Sequence, residues 1–291
     1  MKLIQSKILI FVFFISSFGF TEELFLDQVR PPWGYVFRNW KGPPLDVIVY
    51  IPPKAIKTTP ILIVIPGTSR DTQQSHASWI SLAKNKTFIV LTLGIRKQYF
   101  PDEYSYNSGR VVSRKGDLID ESEWLFSAIE PLFNDFKDRY GLLSNKFFLY
   151  GHSSGGGFVH RYLLFKPSAP IAKAVAVNIL FVTVPDKEIQ YPFGLKNTPI
   201  TNKDFGIWFD KKLAIILQKE DLNLKEHPLS GGTMANIQGA SYLERGRLLF
   251  NAAKESAQKQ KKQLNWSLIT IPEGKDNFQA VSRACKYFFE E

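Results

Sequence analysis

Residues Gly151-His152-Ser153-Ser154-Gly155 match G-x-S-x-G, a spacing whose chemistry is nucleophilic attack by a serine hydroxyl. Three fixed residues are a weak signal by themselves, and the flanking sequence strengthens them. Residues 146–150, KFFLY, read as a buried strand entering the motif, and residues 154–165, SGGGFVHRYLLF, read as a helix leaving it. A sharp strand-to-helix turn lifts a serine Oγ clear of the backbone, and the flanking glycines keep Cβ atoms out of a turn too tight for them. The helix N-terminus then supplies N–H donors and a positive dipole beside the attacked group. Ser153 is therefore expected at a nucleophile elbow. The competing pattern is a Gly-rich phosphate loop, but no lysine follows as such a loop requires.

Acyl transfer also needs donors for the oxygen that becomes negative. The N–H of Ser154, directly after the nucleophile, is one candidate. The Thr68 N–H, in the Pro66-Gly67-Thr68-Ser69 turn after the apolar run 61–65, is the other. A base must accept the serine proton, and the chain has four histidines: His76, His152, His160 and His227. His160 lies two helical turns beyond the motif, where a core imidazole is expected.

The elements that hold these residues alternate between two periods. Runs at 46–51, 61–65, 88–93, 146–150, 173–177, 213–217 and 266–271 are short, β-branched and apolar on both faces, as a helix-covered parallel sheet requires. Residues 34–40 add a candidate edge strand. Helical patterns fall at 73–83, 118–140, 154–165, 242–262 and 277–289. Such alternation predicts an α/β fold with a doubly wound, mostly parallel sheet and helices on both faces. One connection is long: residues 178–212 show no strong strand or helix signal but carry Phe181, Tyr191, Phe193 and Trp208. A lid or substrate pocket built by these four aromatics is the expectation, with plain packing on the sheet as the alternative.

Composition sets the outer bounds. The chain has 291 residues, 44% hydrophobic and 22% charged, close to globular averages and unlike a disordered or coiled-coil protein. Residues 1–19 read as a secretory signal peptide: Lys2 and Lys7, then the apolar run ILIFVFFI, then Ser17 and Gly19 before a cut. The apolar run is shorter than a membrane span requires, so an exported chain, periplasmic or secreted and with no stable span after cleavage, is expected. Residues 20–291 read as a single domain, with 178–212 as its lid-like connection. One cysteine, Cys285, excludes an intrachain disulfide and a Cys-based zinc site. The net charge of +10 is spread among acidic and amide residues, and no nucleic-acid module accompanies it. No metal or cofactor is implied, and the oligomeric state is not legible.

The segments GHSSGGGFVHRYLLFKP (151–167), KAVAVN (173–178), PFGL (192–195), IQGASYLERGRLLF (237–250) and NWSLITIPEGKDN (265–277) together resemble the α/β-hydrolase superfamily. More narrowly, they are similar to exported bacterial esterases of the polyhydroxybutyrate-depolymerase group. The resemblance implies an α/β-hydrolase fold and a triad in chain order Ser, Asp, His. It places the acid after LAIILQ, at Asp221 with Glu220 beside it as the lesser match, and the base after the last strand. There the chain reads Lys275 instead of histidine. A lysine base must be neutral, which against a reference pKa of about 10.4 is costly, and neighbouring carboxylates favour the ammonium. A structural Lys275–Asp221 ion pair is the expectation, with His227 as the stand-in base. Two functions follow. One is a serine hydrolase acting on small or polymeric carboxylic esters through a Ser153 acyl-enzyme. The other is a catalytically impaired relative that binds a ligand or partner on the same scaffold.

Overall fold

The computed structural model describes residues 33–219, 232–272 and 278–291. Eight runs pair into one sheet: β1 (Trp33–Phe37), β2 (Leu45–Tyr50), β3 (Ile61–Ile65), β4 (Ile89–Gly94), β5 (Phe147–His152), β6 (Ile171–Val177), β7 (Leu213–Gln218) and β8 (Trp266–Ile271). Their spatial order is β1-β2-β4-β3-β5-β6-β7-β8. β1 and β2 join antiparallel at one edge, and β4 through β8 run parallel. Burial follows position. β3, ILIVI, is buried at every residue, whereas β2 alternates buried and half-buried positions near the edge.

Among the described residues there are seven helices: α1 (Thr72–Lys86), α2 (Ile129–Tyr140), α3 (Ser154–Phe165), α4 (Asn202–Asp210), α5 (Gly232–Ile237), α6 (Tyr242–Lys259) and α7 (Phe278–Phe289). One core layer joins the sheet to α2, α3, α4 and α6 through Phe133, Phe136, Phe158, Tyr162, Trp208 and Leu249. The opposite layer joins it to α1 and α7 through Trp79, Ala83, Val281, Ala284 and Phe288. Trp79 meets Tyr150 of β5 edge-on at 4.8 Å.

Two elements differ from the sequence reading. The pattern at 118–140 predicts one helix, but the α-helix starts only at Ile129, after two short 3-10 turns. Pro131 explains the late start. Its ring tolerates only the first turn, because deeper in a helix it clashes with the carbonyl four residues back. In addition, α4 forms inside the connection expected to be structureless. Thr201 and Asp204 build a reciprocal capping box at its start, with the Thr201 N–H donating to Asp204 at 2.7 Å. No described helix is long and apolar enough to cross a membrane.

Candidate active site

Ser153 sits where β5 ends and α3 begins, with φ 53° and ψ −113°. A non-glycine residue in this region carries strain of about 1–3 kcal/mol and persists only where its surroundings over-determine it. Its N–H donates to Val177 of β6 at 2.9 Å, and its carbonyl accepts from Gly157 at 3.0 Å and Leu180 at 3.3 Å. Two glycines are obligatory for the turn. A Cβ on Gly151 would stand 2.1 Å from the Gly155 carbonyl oxygen, and one on Gly155 would stand 2.3 Å from that of Ile65. Backbone therefore packs on backbone where β3, β5 and α3 converge, and the serine, only 5% exposed, is left at the wall of a cleft at the end of β5.

The 66–70 turn after β3 approaches the serine from one side. The Thr68 hydroxyl is hydrogen-bonded to Ser153 Oγ at 3.0 Å and to Ser154 Oγ at 2.8 Å. The turn is pinned from behind: the Tyr106 hydroxyl donates to the Pro66 carbonyl, and the Arg70 guanidinium lies 4.3 Å above the Tyr106 ring and donates to Phe100. The Thr68 N–H makes no backbone hydrogen bond among the described residues, and the Ser154 N–H, in the first turn of α3, has no carbonyl one turn back. Thr68 and Ser154, the residues expected to supply the oxyanion donors, thus flank the nucleophile. The Thr68 side chain adds an orienting contact that the sequence reading had not assigned. Thr68→Val, which keeps the shape and deletes the hydroxyl, is expected to slow acylation of Ser153 by about tenfold, one hydrogen bond's worth. Thr68→Ser is expected to retain the rate in the same time-course of covalent labelling.

A cleft of about 640 Å3 opens at Ser153, within the size range of small-molecule sites. Its walls include Thr68, Ser69, Gln74, Ser78, Tyr150 and Val281, so it runs down the α1/α7 side of the sheet. This corrects the expected pocket. Tyr191 and Trp208 are 1% and 0% exposed, Phe181 is buried, and none of them lines the cleft. The Tyr191 hydroxyl donates to the Ser108 carbonyl, and the Trp208 indole donates to the His160 carbonyl. Phe193 is half-buried against Phe181. These aromatics pack inward because ring area is worth more buried than spread on a surface.

Three histidines are described. His160 is buried, with Nδ1 against the Gly156 carbonyl at 3.1 Å and Nε2 accepting from the Thr183 N–H at 3.1 Å, so its imidazole is a core strut. Burial holds its pKa well below the ordinary value. His76 is hydrogen-bonded to Thr92 at 2.9 Å, and His152 borders the cleft beside the serine. Burial lowers both to about 4. A folded-state value below the reference of about 6.5 means that the unfolded chain binds more protons between those two values. Stability is therefore expected to be complete above pH 6.5 and to fall as the pH drops from about 6.5 to 4, as measured by urea titrations across that window. Asp221, His227 and Lys275, and the signal-peptide segment 1–19, lie outside the described residues. Among the described residues, no group of His, Cys, Asp and Glu side chains is placed to hold a metal ion.

Tyr242, the first residue of α6, has its hydroxyl 3.4 Å from Ser153 Oγ. The sequence reading assigned it no role, although Ser241-x-x-Glu244 is a capping-box signal that marks where its helix begins.

No protein-family model and no curated protein sequence matches the chain. Among solved structures, poly(aspartic acid) hydrolase-1 from Sphingomonas sp. KT-1 is 34% identical, with TM-score 0.84, over 89% of this chain and 98% of that one. The chain belongs to the α/β-hydrolase family. The poly(3-hydroxybutyrate) depolymerase LpqC from Bordetella parapertussis shares the fold at 23% identity, with TM-score 0.79, over 85% of this chain and 84% of that one. S-formylglutathione hydrolase from Staphylococcus aureus shares it more distantly, at 16% identity and TM-score 0.53, over 88% of this chain and 97% of that one. An α/β-hydrolase with a serine at its elbow has the framework of a serine hydrolase.

Proposed function

We propose that this protein is an exported serine hydrolase that cleaves carboxylic esters through a Ser153 acyl-enzyme. The observation that carries the reading is the strained Ser153 backbone, φ 53°, with its Oγ opening on a cleft. In this reading Ser153 Oγ attacks the acyl carbon, and the N–H groups of Thr68 and Ser154 hold the oxyanion. The tetrahedral intermediate collapses to acyl-serine plus alcohol, and water then releases the acid. Asp221 orients the proton acceptor, for which Lys275 and His227 are the candidates. Export rests on the pattern at residues 1–19.

Two relatives bear the names of polymer hydrolases, one for poly(aspartic acid) and one for poly(3-hydroxybutyrate), so polymeric substrates stand beside small esters. A net charge of +10 favours encounter with an anionic polymer. The experiment is incubation of the folded protein with a fluorophosphonate, followed by peptide mapping. Labelling at Ser153 is expected, and no label at Ser153 rejects the reading.

A second reading, a ligand- or partner-binding protein on the same scaffold, is favoured by Lys275 standing where the family resemblance expects histidine. Ester turnover that vanishes in Ser153→Ala but survives in Lys275→Ala rejects that alternative and leaves another residue as the base.

A further inference from the structure

We propose that the Tyr242 phenol is a further catalytic residue, donating a hydrogen bond to the leaving-group oxygen as Ser153 attacks; the assignment rests on Ser153 being the nucleophile. Its hydroxyl lies 3.4 Å from Ser153 Oγ and lines the same cleft.

The placement is built rather than incidental. Tyr242 opens α6, and Ser241 caps that helix by accepting from the Glu244 N–H at 3.1 Å. The Glu244 carboxylate in turn accepts from the Ala240 N–H at 2.6 Å. One turn on, the buried Arg245 donates to the Gly239 carbonyl at 2.9 Å and to the Leu180 carbonyl. Gln238 closes a two-bond pair with the Val182 backbone at 2.9 and 2.8 Å. Leu180 itself donates to the Ser153 carbonyl. The Tyr242 ring packs on a small cluster of Leu180, Phe181 and Ala235, with Phe193 beside it. A continuous set of backbone and side-chain contacts therefore fixes the phenol in register with the serine. The aromatic connection contributes to the site by supporting this ring, not by lining the cleft.

Topology separates the donors. β5 carries the serine, the Thr68 turn comes from β3 on one side, and α6 follows β7 on the other. Thr68 and the first turn of α3 serve the carbonyl oxygen, and the phenol on the opposite flank is left for the departing alcohol. As the acyl carbon–oxygen bond breaks, charge grows on the leaving oxygen, and a fixed neutral donor lowers that barrier. The phenol keeps its proton throughout: the serine proton passes to the base, which returns it to the leaving oxygen as the carbon–oxygen bond breaks, so the group departs as a neutral alcohol.

Tyr242→Phe deletes one oxygen and keeps the ring packing. Wild type and variant are compared on two esters of one acyl chain, an alkyl ester and a p-nitrophenyl ester. The expected result is a loss in kcat/KM of about 100-fold on the alkyl ester, the scale of one catalytic donor, and less than about fivefold on the nitrophenyl ester, whose stable phenolate needs no help. Equal losses on both, or no loss on either, overturn the assignment. A fluorophosphonate control separates the two failures. Wild-type protein that never labels at Ser153 removes the nucleophile and this role with it, whereas labelled protein with equal losses removes this role alone.

Discussion

Ser153→Ala is expected to lower ester turnover by about 10⁴- to 10⁶-fold, the range set by deleting the nucleophile of a serine hydrolase. The residual rate would come from the Thr68 and Ser154 N–H groups and from substrate binding, which survive the substitution. The strained turn adds a second readout. Alanine at φ 53° is no more comfortable than serine, so Ser153→Ala is expected to leave stability nearly unchanged. Glycine adopts that conformation freely, so Ser153→Gly is expected to stabilise the fold by about 1–3 kcal/mol while being equally inactive. Urea titration of the three proteins beside their turnover numbers checks both statements. A Ser153→Gly protein no more stable than wild type would show that the turn stores no strain.

Arg161→Met is expected to cost about 2–4 kcal/mol of folding stability, because it leaves several buried oxygens without a donor at about 1–3 kcal/mol each, partly offset by no longer burying a charge. The guanidinium is fully buried in α3. It donates to Thr183 Oγ1 at 2.6 Å and to the carbonyls of Asn107 at 3.2 Å, Gly157 at 3.0 Å and Phe181 at 3.1 Å. Burial pushes its pKa down to about 10, which still leaves it charged at neutral pH. Methionine fills the volume but leaves those oxygens without a donor in a dry interior. Lysine offers a single ammonium in place of a planar fork, so Arg161→Lys is expected to recover only part of the loss. Chemical denaturation measures it, and a change under about 1 kcal/mol would show that the carbonyls find other partners.

The elbow was readable because sterics demand it: a strand, a motif and a helix in immediate succession leave the backbone one path. The strand runs were readable for a similar reason, since a sheet covered on both faces requires unbroken apolar segments. The late start of α2 was also present in the sequence, at Pro131, but apolar spacing alone overrode it. α4 carried a capping box at Thr201 and Asp204 that a reading based on hydrophobic period does not register. Tyr191 and Trp208 were misassigned because an aromatic residue in a loop looks the same in sequence whether it faces a cleft or fills a core. Tyr242 was invisible for a deeper reason. Its meaning depends on a tertiary contact to a residue 89 positions away, carried by Arg245 and Gln238, and no local pattern encodes that.

Arg161 and Arg245 are both fully buried and, among the described residues, neither forms an ion pair with a carboxylate. Carbonyl dipoles solvate them, but dipoles do not cancel a net charge. Two fixed positive charges thus grip the 180–183 segment directly behind the nucleophile, in a medium where Coulomb fields reach farther than in water. Each of these two buried charges adds a positive contribution to the potential felt at the 180–183 segment. That contribution favours negative charge on a tetrahedral oxygen or a carboxylate product, and dissolved salt screens it poorly because both guanidinium groups are buried.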